Sequence, residues 1–218
     1  MLLSDIRAAQ YVNGSRPELP AHVEDHEVVA DYDVCLGVDV GAGGDETVIR
    51  ERVGIRAGRS YKARTPEFTQ AVDLVLKAVH ECQPDTINVD VIGVGWGLTG
   101  QLKQLVRQAR PGEDLYQVTV TGVNVGSGST DKGRFPKLRD EIWWVVGREG
   151  AAQGAMDLTD LDETTVSQLI APRYTIDALG RVKIEPKNET KKRIGRSPDD
   201  ADALLLAFYQ GRPKWTVD

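Results

Sequence analysis

The sequence predicts an α/β domain, a mixed central sheet flanked by helices with an additional β-hairpin, and three observations carry that prediction. Three runs of strand character open the ordered part of the chain; helical and strand periods then alternate; and a late pair of short alternating runs brackets a turn. Residues 34–40 form an apolar run that ends in glycine-rich sequence, and residues 47–53 and 58–63 continue as strands, so the sheet starts as three antiparallel strands. In residues 66–82, Phe68, Val72, Val75, Leu76 and Val79 recur at helical spacing, with Pro66 suited to the first turn and Pro84 ending the segment. Residues 86–92 read as a buried strand, 98–109 as a helix and 115–123 as a strand, giving the order βββαβαβ. Further helices are expected at 138–146, where Trp143 and Trp144 read as core packing, and at 162–170. Residues 173–176 and 181–184 alternate around the turn 177–180, and a basic segment at 187–196 leads into a last helix from 198 to about 210. Residues 1–32, with a short helical hint at 2–11, read as a linker or arm, 33–212 as the folded domain and 213–218 as a tail.

Composition excludes several classes. A chain of 218 residues with 40% hydrophobic content buries a core without staples, and Cys35 and Cys82 have no partner at ligand spacing, so reduced thiols in a cytoplasmic protein are expected. No apolar run approaches the ~20 residues of a membrane span, and the first residues lack a secretion signal. The formal net charge of −6 argues against a surface coated in basic charge.

The chemistry lies in the acids. Asp39 interrupts an apolar strand in the run Leu36-Gly37-Val38-Asp39-Val40, where an unpaired buried carboxylate costs several kcal/mol and calls for a metal ion, a base or a hydrogen-bond cage. Glycines 41, 43 and 44 would let a ligand approach the backbone; a strand-end turn in which Asp39 caps amides is the alternative. Asp90 repeats the device, with one acid inside an apolar strand followed by a glycine-rich turn. The third signal opens the last helix: Ser197 as N-cap, Pro198 in the first turn and Asp200 completing a capping-box-like pattern. Asp199 and Asp202 share one face, and Asp202 precedes Leu205 and Leu206, which directs it toward the core. Carboxylates from separate elements suit Mg²⁺ or Mn²⁺, and a pair of such ions hydrolyses a phosphodiester without a protein nucleophile. His22, His26 and His80 form no ligand pattern, and no nucleophile elbow or metalloprotease helix is present.

Acids on a first strand, a later strand and the start of the last helix resemble the ribonuclease-H-like, RuvC-like superfamily. The similarity is closer to the nuclease domain of phage terminase large subunits, carried by Gly37-Val38-Asp39 through Asp45, by Asp90-Val91-Ile92-Gly93-Val94-Gly95, and by Arg196-Ser197-Pro198-Asp199 with Asp202-Ala203. The resemblance covers residues 33–210 and implies an RNase H-like fold and two-metal cleavage of double-stranded DNA, as in cutting concatemeric viral DNA during packaging. It implies metal ligation by Asp39, Asp90 and Asp202, with Asp199 as a fourth or substitute ligand and Asp45 as an accessory acid. Many relatives carry Glu where this chain has Asp90. The implied partners are an ATPase motor domain, a small terminase subunit and a portal, in the host cytoplasm. The chain has no Gly-x-x-x-x-Gly-Lys-Ser/Thr motif of its own, so it is either an excised nuclease domain or a stand-alone nuclease.

Lys187, Lys191, Lys192, Arg193 and Arg196 form the one strongly basic stretch, suited to holding a DNA backbone beside an acidic site, or else a solvated loop. Residues 126–134 read as a polar loop beside the site. Rival readings are a Holliday-junction resolvase, an actin-like phosphate-binding ATPase or kinase fragment, and a DNA-docking module with a decayed site.

Overall fold

The computed structural model describes residues 33–41 and 45–211, together with Ser4. The expected arm and tail, His22, His26, and Gly43 and Gly44 lie outside the described residues. The first half runs β1 (Val34–Asp39), β2 (Glu46–Val53), β3 (Arg56–Arg64), α1 (Phe68–Cys82), β4 (Thr86–Asp90), α2 (Gly95–Gln108) and β5 (Thr119–Val123). These strands form one sheet in the order β3-β2-β1-β4-β5, antiparallel from β3 to β1 and parallel from β1 to β5.

A long helical stretch follows. It begins as α3 (Leu138–Glu141), passes into a π-helical segment (Ile142–Glu149) and closes with α4 (Gly150–Ala152). Next come α5 (Glu163–Ile170), the hairpin of β6 (Tyr174–Ile176) and β7 (Val182–Ile184), α6 (Lys187–Ile194) and α7 (Asp199–Phe208). The basic segment is thus mostly helical rather than loop. Its helix ends at Gly195, which takes the left-handed conformation at φ 78. Two predicted starts also move: α2 begins at Gly95 because the glycine-rich turn after Asp90 already winds into helix, and β5 begins at Thr119.

Alternation along the strands separates two apolar layers. Leu36, Val38, Ile87 and Val89 point to one face and pack against Val75 and Val79 of α1 and Leu98 and Leu102 of α2. Each is completely buried, and such burial stabilises by about 1.5–3 kcal/mol per side chain. On the other face, Leu204 and Leu205 of α7 pack with Trp143, Val146 and Leu169.

The period of two turns Gly37 and Asp39 toward this second layer. A Cβ on Gly37 would stand 2.1 Å from the Ala203 carbonyl oxygen and 2.3 Å from the Ala207 amide nitrogen, so the missing side chain is what allows α7 to lie directly on β1. Val38 pairs with Val89 in parallel register, and Asp39 and Asp90, the next residues, therefore leave adjacent strands at the same end of the sheet.

Candidate metal centre

Three elements bring the acids together. β1 delivers Asp39, β4 delivers Asp90, and the first turn of α7 delivers Asp199 and Asp202. All four, with Asp45 at the rim, line one cavity of about 320 Å³. The sequence separations exceed 100 residues between β1 and α7, so the site exists only because the sheet register and the contact at Gly37 place those elements side by side.

At the centre lies the ammonium of Lys187, from the first turn of α6. Its Nζ donates to Asp39 Oδ2 at 2.6 Å and lies 2.9 Å from Asp199 Oδ1 and 3.3 Å from Asp202 Oδ2. A cation already occupies the focus of three carboxylates. Among the described residues no three His, Cys, Asp or Glu side chains stand close enough to hold a metal ion as they are, and the acids surround the lysine instead.

Burial pushes the Asp39 carboxyl up to about 7, with Asp202 and Asp199 adding to the rise and Lys187 opposing it. Asp90 is also raised, chiefly by burial, although its Oδ1 accepts the Ile92 amide at 3.0 Å. Desolvation works against the Lys187 charge, but Asp202, Asp39 and Asp199 outweigh it and hold the ammonium well above the ordinary lysine range. The ammonium therefore keeps its charge, and Asp39 and Asp90 hold a proton to higher pH than an ordinary carboxylate.

Asp202 has two further partners that the sequence did not reveal. The Trp143 indole Nε1 donates to its Oδ1 at 2.9 Å, and the Arg139 guanidinium stands 3.8 Å from the same oxygen. Trp143 packs in the core as expected, yet its polar edge orients an acid; the one available signal was the i, i+4 spacing of Arg139 and Trp143. Trp143→Phe keeps an aromatic ring in the core but removes the donor. It should reduce divalent-metal affinity about 10-fold, the lower end for loss of a partner that orients a ligand, and lower the melting temperature modestly through the lost ring volume. Isothermal titration with Mn²⁺ checks this, and an unchanged affinity would relegate Trp143 to packing alone.

The N-terminus of α7 differs from its expected form. Ser197 does not cap it: its hydroxyl donates to the Asp199 carboxylate, and Pro198 holds the N-cap position. The free amides of Asp200 and Ala201 donate instead to Gln168 Oε1 of α5, at 2.8 and 3.2 Å. Asp200 completes no capping box either. It is buried against Lys62 at 2.6 Å, Arg50 at 3.5 Å and Gln168 Nε2 at 3.0 Å, and so pins α7 to β2, β3 and α5. A distant side chain wins here because α7 is buried along most of its length and its end faces protein rather than water.

Of the basic residues, Lys187 sits among the acids, Lys191 pairs with Asp45, and Lys192 pairs with Glu189 at 2.9 Å on the surface. Arg193 binds Glu185 and the Ala171 carbonyl, and Arg196 donates to the Ser167 hydroxyl. His80, on α1, is exposed and pairs with Asp114 at 2.8 Å, away from the cavity. Cys35 and Cys82 are both free thiols. Gly41 lies beneath the chain itself, since a Cβ there would meet the Asp45 carbonyl oxygen at 2.2 Å, so its close approach serves the loop.

No protein-family model matches the chain, and no curated protein matches it. Solved structures do. The nuclease domain of the large terminase subunit gp2 of bacterial virus Sf6, determined with manganese and beta-thujaplicinol, superposes with a TM-score of 0.72 at 17% identity over 96% of this chain and 97% of that one. The large terminase nuclease of thermophilic phage G20c with bound magnesium gives a TM-score of 0.59 at 16% identity over 84% of each chain. The nuclease domain of the Thermus phage P74-26 large terminase gives 0.56 at 14% identity over 83% of this chain and 82% of that one. The chain has the fold of these domains, a mixed five-stranded sheet with flanking helices, as its sequence predicts.

Proposed function

We propose that this protein is a metal-dependent endonuclease that cuts double-stranded DNA, acting as the nuclease module of a viral DNA-packaging motor. One observation carries the reading: Asp39, Asp199 and Asp202, brought from opposite ends of the chain, enclose a cation with Asp90 lining the same cavity. The donor set is all oxygen, as Mg²⁺ and Mn²⁺ require, and the Lys187 ammonium stands in for the positive charge. Asp39, Asp90 and Asp202, with Asp199, would hold the metal, and two ions would supply an activated water and a stabilised leaving oxygen.

The chain's own residues prepare this. Trp143 and Arg139 hold Asp202 toward the cavity, while Asp200 and Gln168 fix the helix that carries it. Lys187 holds the carboxylates of Asp39, Asp199 and Asp202 together and opposes the rise that burial imposes on Asp39. The substrate and the partners, an ATPase motor, a small terminase subunit and a portal, belong to the same reading, which the likeness in fold to terminase nuclease domains supports.

Incubation of supercoiled plasmid with the protein tests it. Nicking and linearisation are expected with Mn²⁺, more weakly with Mg²⁺, and none with EDTA. Asp39→Ala, Asp90→Ala and Asp202→Ala should each lower the rate at least about 10³-fold, since each removes part of several kcal/mol of charge stabilisation. Because Asp39 holds a proton up to about pH 7, metal binding must expel it, and metal affinity and cleavage should climb as pH rises from 6 to 8. If all three variants cut like the parent, the site is elsewhere.

A further inference from the structure

The turn after Asp90 and the first residues of α2 expose apolar side chains. Trp96 is 76% exposed and Ile92 is 55% exposed, with Val94 and Phe68 also open to solvent. Exposed tryptophan of this extent is uncommon on a protein that has nothing to cover it. Two contacts tie the group to the cavity. Ile92 is one of its lining residues, and its side chain reaches across to Gly126 in the opposite loop. Gly95 packs so closely on the Asp90 carbonyl that a Cβ would stand 1.7 Å from the oxygen, which returns the chain to the foot of Asp90, with Trp96 the next residue along. Phe68, near Gly97, extends the surface along α1.

A phosphate held by Asp39, Asp90 and Asp202 would lie in the cavity that Ile92 lines, and Trp96, four residues on, presents a largely exposed indole. We infer that Trp96, supported by Ile92, is a DNA-positioning residue that stacks on or wedges against a base at the step beside the scissile phosphate, an inference that rests on the nuclease reading above. An indole does this without regard to sequence, because every base offers a π-face, and a wedge that partly unstacks a step holds the backbone bent toward the metal ligands. The contact also differs in kind from that of Lys192 or Arg193: stacking releases no counterions and leaves the salt dependence of binding unaltered.

The test measures binding of a short fluorescent duplex in Ca²⁺, over a salt series, for the whole chain, Trp96→Ala, Trp96→Phe and the combined Lys191→Ala, Lys192→Ala and Arg193→Ala variant. Trp96→Ala should weaken binding about 10-fold at every salt concentration with an unchanged slope, Trp96→Phe should stay within about 3-fold of the parent, and the triple variant should bind with a shallower slope. A duplex with one mismatched pair should bind the parent more tightly than a matched one, and that preference should vanish in Trp96→Ala. Because the side chain is mostly in solvent, the melting temperature should match the parent's. Parent-like affinity for Trp96→Ala, or a loss that tracks the salt slope, overturns the inference and leaves the apolar loop to a protein partner. A parent that binds duplex through Trp96 but cuts nothing with Mn²⁺ defeats the nuclease reading alone.

Discussion

Lys187→Ala should leave a metal-free protein that melts earlier and a metal site that binds divalent cations at least about 10-fold more tightly. Three carboxylates now share one ammonium. Removing it leaves without compensation their mutual repulsion, which adds to burial in raising Asp39. Breaking a fully buried pair costs about 3–5 kcal/mol. The Lys187 side chain retains 35% exposure, so solvent takes up part of the field and about 1–2 kcal/mol is the expected loss. The gain in affinity follows from the same charges, because an incoming ion of charge two no longer meets a resident charge of one within a few ångströms. Thermal melts in EDTA and calorimetric titration with Mn²⁺ measure both changes. A variant with the parent's melting point and the parent's affinity would show that the lysine contributes nothing to the balance of the site.

Gly37→Ala is the second large effect, expected to cost about 3 kcal/mol, the upper end for overpacking a well-filled layer. The obstruction is main chain of α7 at 2.1 and 2.3 Å, not the end of a flexible side chain, so the helix itself must shift. That shift carries Asp199 and Asp202 away from Asp39, and a displacement of about 1 Å is enough to lower a rate about 10²-fold. Cleavage should therefore fall at temperatures where the variant is still folded, as followed by denaturant titration and plasmid cutting side by side. Parent-like cutting in a destabilised variant would separate the helix contact from the chemistry.

The order of strands and helices was legible because alternation and helical spacing are local signals, and they hold for β1, α1 and β4 without knowledge of the rest of the chain. The acids were legible for a related reason: a charge inside an apolar strand, at Asp39 or Asp90, is anomalous where it stands. What surrounds them was not. Lys187 lies 148 residues from Asp39 and Trp143 lies 59 from Asp202, distances across which no period connects them. Lys187 was read with its basic neighbours as a contact for the DNA backbone, although the fold turns it inward. The mistaken cap at Ser197 has the same origin: a sound local pattern lost to Gln168, which arrives from another helix with a better-placed acceptor.

Both ends of α7 are fastened from outside. At its far end the Arg52 Nε donates to the Ala207 carbonyl at 2.7 Å, and the Asn88 amide donates to the carbonyls of Leu206 at 2.9 Å and Tyr209 at 2.7 Å. This ten-residue helix is too short to persist alone in water, so its carbonyls and amides find partners only once β2, β4 and α5 are in place. The acidic centre is therefore a non-local product of folding, absent from any chain whose α7 has not yet docked on the sheet.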